Sequence, residues 1–141
     1  MRYLAVFALT VAALAGCGSP RTTMDTSPPT APSAAVVNIA PAEAAPKTQQ
    51  AYAQFVDVRT AFEYKAEHAD RAINIPLEEL AANLDRIEKN EPVYIICETG
   101  RRSKEAAEML VSKGYPMVYN VEGGMTVWRA EKLPMAKPAA N

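Results

Sequence analysis

Neither sign of charge is in excess in this chain: 15 Lys and Arg stand against 16 Asp and Glu, for a net charge of −1. There is no basic stripe and no interleaving of aromatic with basic residues, which argues against a nucleic-acid partner. No apolar run reaches the roughly 20 residues that a bilayer span needs. The nearest approach, Tyr3 to Ala15, is shorter and is interrupted by Thr10. No internal repeat is visible. Histidine occurs once, at His68, and cysteine twice, at Cys17 and Cys97.

The short apolar run follows Arg2, a charge and hydropathy pattern that suits a signal peptide. It ends in Leu14-Ala15-Gly16-Cys17, which resembles the bacterial lipoprotein cleavage box. That resemblance implies a signal peptide over residues 1–16, cleavage before Cys17 and lipidation of Cys17. The protein is then expected to be exported and held on the periplasmic side of a bacterial membrane, since more than one acyl chain gives stable attachment. Gly18 in place of aspartate favours the outer membrane over the inner. The alternative is ordinary cleavage after Ala13-Leu14-Ala15, which would leave a soluble secreted protein. Residues 17–34 carry the lipidated cysteine and then Ser19-Pro20, Ser27-Pro28-Pro29 and Ala31-Pro32. With almost no large apolar residue they read as a flexible linker. Lipidation of Cys17 leaves Cys97 as the one free thiol and rules out an internal disulfide. An unpaired thiol in an oxidising compartment is a liability unless it is used or buried.

The texture changes at Ala35, and residues 35–135 read as one folded domain followed by a tail, 136–141. Val36 to Ile39, Phe55 to Val58, Ala72 to Ile75, Val93 to Ile96 and Met117 to Val121 are strand candidates. Helical stretches separate them: one opening at Pro41 and kept short by Pro46, Ala61 to Lys65, Leu77 to Glu88, Lys104 to Ser112, and a last one around Val127-Trp128. Leu80, Leu84 and Ile87 fall at helical spacing, and Gly114 reads as a helix stop. Alternating short strands and helices predict an α/β domain with a parallel sheet. Ligands of such sheets sit at the carboxyl ends of the strands.

One such strand end holds Cys97-Glu98-Thr99-Gly100-Arg101-Arg102-Ser103. A thiol between a strand and the first turn of a helix meets unpartnered N–H groups and the positive end of the helix dipole, which favour thiolate. Gly100 permits positive φ, so that successive N–H groups can form an anion-binding nest. Arg101 and Arg102 add cationic charge. The less specific reading is a small buried cysteine with two solvated arginines.

Cys-x-x-Gly-x-Arg-Ser at a strand-to-helix turn resembles the active-site loop of the rhodanese, or thiosulfate sulfurtransferase, family. Three further stretches match that family in order. Phe55-Val56-Asp57-Val58-Arg59 with Glu63-Tyr64 is similar to its apolar-x-Asp-x-Arg segment, and His68 to Pro76 to its Gly-His-x-x-Gly-Ala-x-Asn-x-Pro segment. Val121-Glu122-Gly123-Gly124 with Trp128 completes the set. Glu67 and Arg71 stand where the family usually has glycine. The resemblance implies a three-layer sandwich in which a five-stranded parallel sheet, order 1-5-4-2-3, is flanked by helices.

The resemblance also implies an activity. Cys97 would take the sulfane sulfur of thiosulfate or a similar donor as a persulfide and pass it to cyanide or a thiol. Arg102 and, secondarily, Arg101 would bind the donor, and loop N–H groups from Glu98 through Thr99 and Gly100 to Ser103 would hold the negative charge. Asp57, Arg59 and His68 would brace neighbouring loops, while Tyr94 and Trp128 would pack in the core. No metal and no cofactor are implied. A phosphatase of the same fold would need Cys-x5-Arg, but residue 103 is serine. The competing class is a persulfide carrier or binding module that acts only with a protein partner.

Overall fold

The computed structural model describes residues 35–136. The readings made for residues 1–34, namely the signal peptide, Cys17 lipidation and the linker, lie outside the described residues, as does nearly all of the tail. Five strands, β1 (Val37–Ile39), β2 (Gln54–Asp57), β3 (Ile73–Asn74), β4 (Val93–Ile96) and β5 (Val118–Val121), form one sheet. Their order is β1-β5-β4-β2-β3 and every pairing is parallel, as the resemblance implies. The helices are α1 (Pro41–Thr48), α2 (Ala61–Ala66), α3 (Leu77–Leu80), α4 (Arg101–Ser112) and α5 (Gly124–Ala130).

β4 lies at the centre of the sheet and is buried along its whole length, which explains its uninterrupted Val-Tyr-Ile-Ile sequence. Side chains alternate across a strand, so β4 feeds two cores. Val93 and Ile95 pack with Val56, Val58, Leu80 and Ala106, Ala107 and Leu110 of α4. Tyr94 and Ile96 face the other layer, with Phe55, Ala44 and Ala45 of α1, and Met125 and Trp128 of α5. Trp128 is fully buried against Phe55, with ring centroids 5.2 Å apart, and its indole N–H donates to Pro134 O at 3.0 Å. Tyr94 stacks on Tyr119. Both are core residues, as expected.

Two element readings need correction. The Leu77 to Glu88 stretch is not one helix: α3 stops at Leu80, and a 3-10 turn covers Leu84–Arg86. Asn83 breaks the run, with φ −121° and its side-chain amide donating to Glu79 O at 2.8 Å, a local bond that competes with the helical ladder. Leu80 and Ile87 are buried nonetheless. The helix expected from Lys104 instead begins at Arg101, because Gly100 in the left-handed region (φ 92°) turns the chain into it three residues earlier.

The two residues that replace family glycines behave differently. Glu67 is extended (φ −167°), which any residue adopts, whereas Arg71 sits at φ 64°. Among the described residues no helix is long and apolar enough to cross a membrane.

Candidate active site

Cys97 follows the last residue of β4, and its side chain is buried. The sulfur accepts the Gly100 N–H at 3.2 Å and lies 3.4 Å from the Ser103 hydroxyl. That hydroxyl is also 2.7 Å from Asn120 Oδ1, and the Asn120 amide in turn donates to Asn38 Oδ1 at 3.0 Å. A chain of polar groups therefore runs from the edge strand β1 through β5 to the thiol. One hydroxyl hydrogen serves both Asn120 and the sulfur, so at any moment Ser103 donates to only one of them.

The loop is held open from behind by α5. Met125 N–H donates to Cys97 O at 2.8 Å and Thr126 N–H to Glu98 O at 3.0 Å, with the Thr126 hydroxyl on the same carbonyl. With these two carbonyls turned towards α5, the Gly100 N–H is the backbone donor that faces the sulfur. Gly124 makes the approach possible: a Cβ there would lie 2.3 Å from Cys97 O. Gly100 likewise packs close to Gly123 N.

Every arginine near the loop except one is spoken for. Arg59, almost fully buried, grips Asp57 through Nε and Nη2 at 2.8–3.1 Å and reaches Glu98 Oε2 at 3.2 Å and Glu67 O at 2.7 Å. Burial opposes its charge, but the Asp57 carboxylate outweighs that and raises its pKa. Arg129 joins Glu67 to Glu98, and although burial works against the Glu98 carboxylate, Arg129 and Arg59 together lower its pKa. Arg102 forms a two-point pair with Glu63, at 3.0 and 2.8 Å. Arg102 holds the Glu63 carboxyl down to about 2, helped by Thr60 and opposed by partial burial. Arg101 is exposed and has no ion-pair partner among the described residues.

Of the residues singled out from sequence, Cys97, Glu98, Thr99, Gly100, Arg101, Arg102 and Ser103 therefore form one loop, with Asp57 and Arg59 locked beneath Glu98. His68 stands apart: it stacks on Tyr64 and donates through Nδ1 to Tyr64 O at 2.8 Å. Sequence reasoning missed Glu63, Asn120 and Arg129 as neighbours of the loop. Only Glu63 had a local signal, since Thr60-x-x-Glu63 spells a capping box. A recess of about 250 Å³ lined in part by Thr99, Gly100, Lys104 and Asn120 adjoins the loop. A larger one, about 520 Å³, lies between β1 and α4 and does not include Cys97. Among the described residues no group of His, Cys, Asp and Glu could hold a metal ion.

A parallel five-stranded α/β domain that presents a cysteine loop at the carboxyl end of its central strand is the rhodanese architecture, and the comparisons agree. The chain belongs to the rhodanese-like domain family, whose profile matches residues 40–131. It is 31% identical over 87 residues to the thiosulfate sulfurtransferase GlpE of Vibrio cholerae serotype O1, covering 62% of this chain and 82% of that protein. It is 38% identical over 73 residues to YrkF of Bacillus subtilis (strain 168), covering 52% of this chain but only 40% of YrkF. Among solved structures, a rhodanese-like domain protein from Staphylococcus aureus superposes with a TM-score of 0.63 at 36% identity, covering 72% of this chain and all of that one.

Proposed function

We propose that the protein is a sulfurtransferase in which Cys97 carries sulfane sulfur as a persulfide. The observation that carries this reading is the Gly100 N–H on the Cys97 sulfur at the start of α4, within a family whose relatives include enzymes named thiosulfate sulfurtransferase. The thiolate attacks the outer sulfur of thiosulfate, the S–S bond breaks, and sulfite leaves with the electron pair. Charge balances without a proton, since a thiolate and a dianion become a persulfide anion and sulfite. Because Cys97 is buried, the outer sulfur of that persulfide is what meets cyanide or a thiol, while loop N–H groups hold its charge. Arg101, exposed and without an ion-pair partner among the described residues, draws in the donor, and Arg102 follows it at the start of α4.

The test is thiocyanate formation from thiosulfate and cyanide by the full chain and its Cys97→Ala variant, expected in the first only. Transfer seen only when a protein acceptor is supplied would instead make the chain a persulfide carrier. Export and attachment to the periplasmic side of a bacterial membrane through Cys17 is a further part of the proposal. It rests on the Leu14-Ala15-Gly16-Cys17 sequence, and radiolabelled palmitate should enter the wild type but not Cys17→Ala.

A further inference from the structure

The Arg102 guanidinium, which the loop sequence offers as the donor's binding cation, is neutralised by Glu63. The carboxylate is fixed from two sides. Its Oε2 accepts the Thr60 N–H at 3.0 Å, the Thr60 hydroxyl at 2.8 Å and Arg102 Nη1 at 3.0 Å, while Oε1 takes Arg102 Nη2 at 2.8 Å. The capping box holds the Glu63 carboxylate at the first turn of α2, beside Arg102. Beside the loop, three guanidinium groups (Arg59, Arg102, Arg129) are paired with four carboxylates (Asp57, Glu63, Glu67, Glu98), so none of the three brings an uncompensated positive charge to the thiolate.

From this balance we infer that Glu63 is a specificity-determining residue, which lowers the site's capture of dianionic thiosulfate relative to a monoanionic, low-molecular-weight persulfide. The inference rests on the sulfurtransferase reading above and names the donor class of that same site. With thiosulfate the encounter gathers three negative charges, one on the thiolate and two on the donor. A persulfide anion RS–S⁻ brings one fewer: the Cys97 sulfur bonds to its outer sulfur, the S–S bond breaks, RS⁻ leaves with the electron pair, and the Cys97 persulfide anion remains. Removing the fixed charge of Glu63 therefore helps the dianion more than the monoanion. Arg102 keeps N–H groups that Glu63 does not use, so either donor can still be oriented there.

The experiment compares kcat/KM for thiosulfate and for 2-hydroxyethyl persulfide, whose only charge is the one on its outer sulfur, in the full-length wild type, Glu63→Gln and Thr60→Ala. Glutamine preserves the capping box while removing the charge. Thr60→Ala does the reverse, weakening the cap but keeping the carboxylate. The ratio of thiosulfate to persulfide kcat/KM should rise about tenfold in Glu63→Gln, the size of one charge near a partly solvated site. It should stay within about twofold in Thr60→Ala. An unchanged ratio in Glu63→Gln, or an equal rise in Thr60→Ala, overturns the inference while leaving the sulfurtransferase reading intact. Failure of the wild type to form a Cys97 persulfide from either donor overturns that reading itself.

Discussion

Replacing Gly124 with alanine would drive a methyl group into the backbone of the cysteine loop. The new Cβ would lie 2.3 Å from Cys97 O and 2.8 Å from the Glu98 carbonyl carbon and oxygen, where ordinary contact begins at 3.4 Å. About 1 Å of movement is required, and the carbonyls that must move are the two held by the N–H groups of Met125 and Thr126. Forced overpacking costs about 1–3 kcal/mol, and alanine in the left-handed region that Gly124 occupies (φ 55°) adds about 1 kcal/mol. The expected loss is therefore about 2–4 kcal/mol, which a domain of ordinary stability, about 5–15 kcal/mol, survives. A 1 Å displacement of the loop should lower the sulfur-transfer rate by about 10²-fold. The control is Gly114→Ala, also at positive φ (82°) but facing only the tip of the Lys89 side chain at 3.2 Å. It should lose about 1 kcal/mol and keep its rate. Urea denaturation and thiocyanate formation measure both quantities. If Gly124→Ala matches Gly114→Ala in each, the account of α5 as the support of the loop is wrong.

At Arg71, φ 64°, glycine should be more stable than alanine by about 1 kcal/mol in thermal or urea unfolding, because only the left-handed penalty differs once the Arg71 contact to Gln49 O is lost in both. Asp57→Asn strands the buried Arg59 guanidinium and should cost about 3–5 kcal/mol; a loss below about 1 kcal/mol would show that Glu98 suffices as counter-charge. The Glu63 carboxyl is held at about 2, below its ordinary 4.5, so it contributes stability above pH 4.5 that is lost as the pH falls towards 2. Since the pair is partly exposed, this contribution is about 1 kcal/mol. The stability gap between wild type and Glu63→Gln should be full at pH 6 and closed near pH 2, and a gap independent of pH contradicts the pairing.

The elements that sequence made legible are those governed by local pattern. The continuous apolar run of β4 follows from cover on both faces of a central parallel strand, and the parallel α/β class follows from the alternation of short strands and helices. Where a single residue's conformation set a boundary, the apolar pattern misled. Asn83 ended α3 although Leu84 and Ile87 continued the helical spacing, and left-handed Gly100 started α4 before its apolar face begins. The cysteine loop was legible as chemistry, but its electrostatics were not. Glu63 and Arg102 lie 39 residues apart in sequence, as do Arg59 and Glu98, and they meet only because β2 pairs with β4. The spacing of Arg101 and Arg102 showed two cations, while the fold shows that one of them is already paired.

The most direct test of the central claim is intact-protein and peptide mass spectrometry of the full chain after exposure to thiosulfate and then to cyanide. The account predicts one added sulfur atom on the peptide containing Cys97, its removal by cyanide with release of thiocyanate, and neither change in Cys97→Ala. A folded wild type with a reduced thiol that gains no sulfur from thiosulfate or from a persulfide would contradict it.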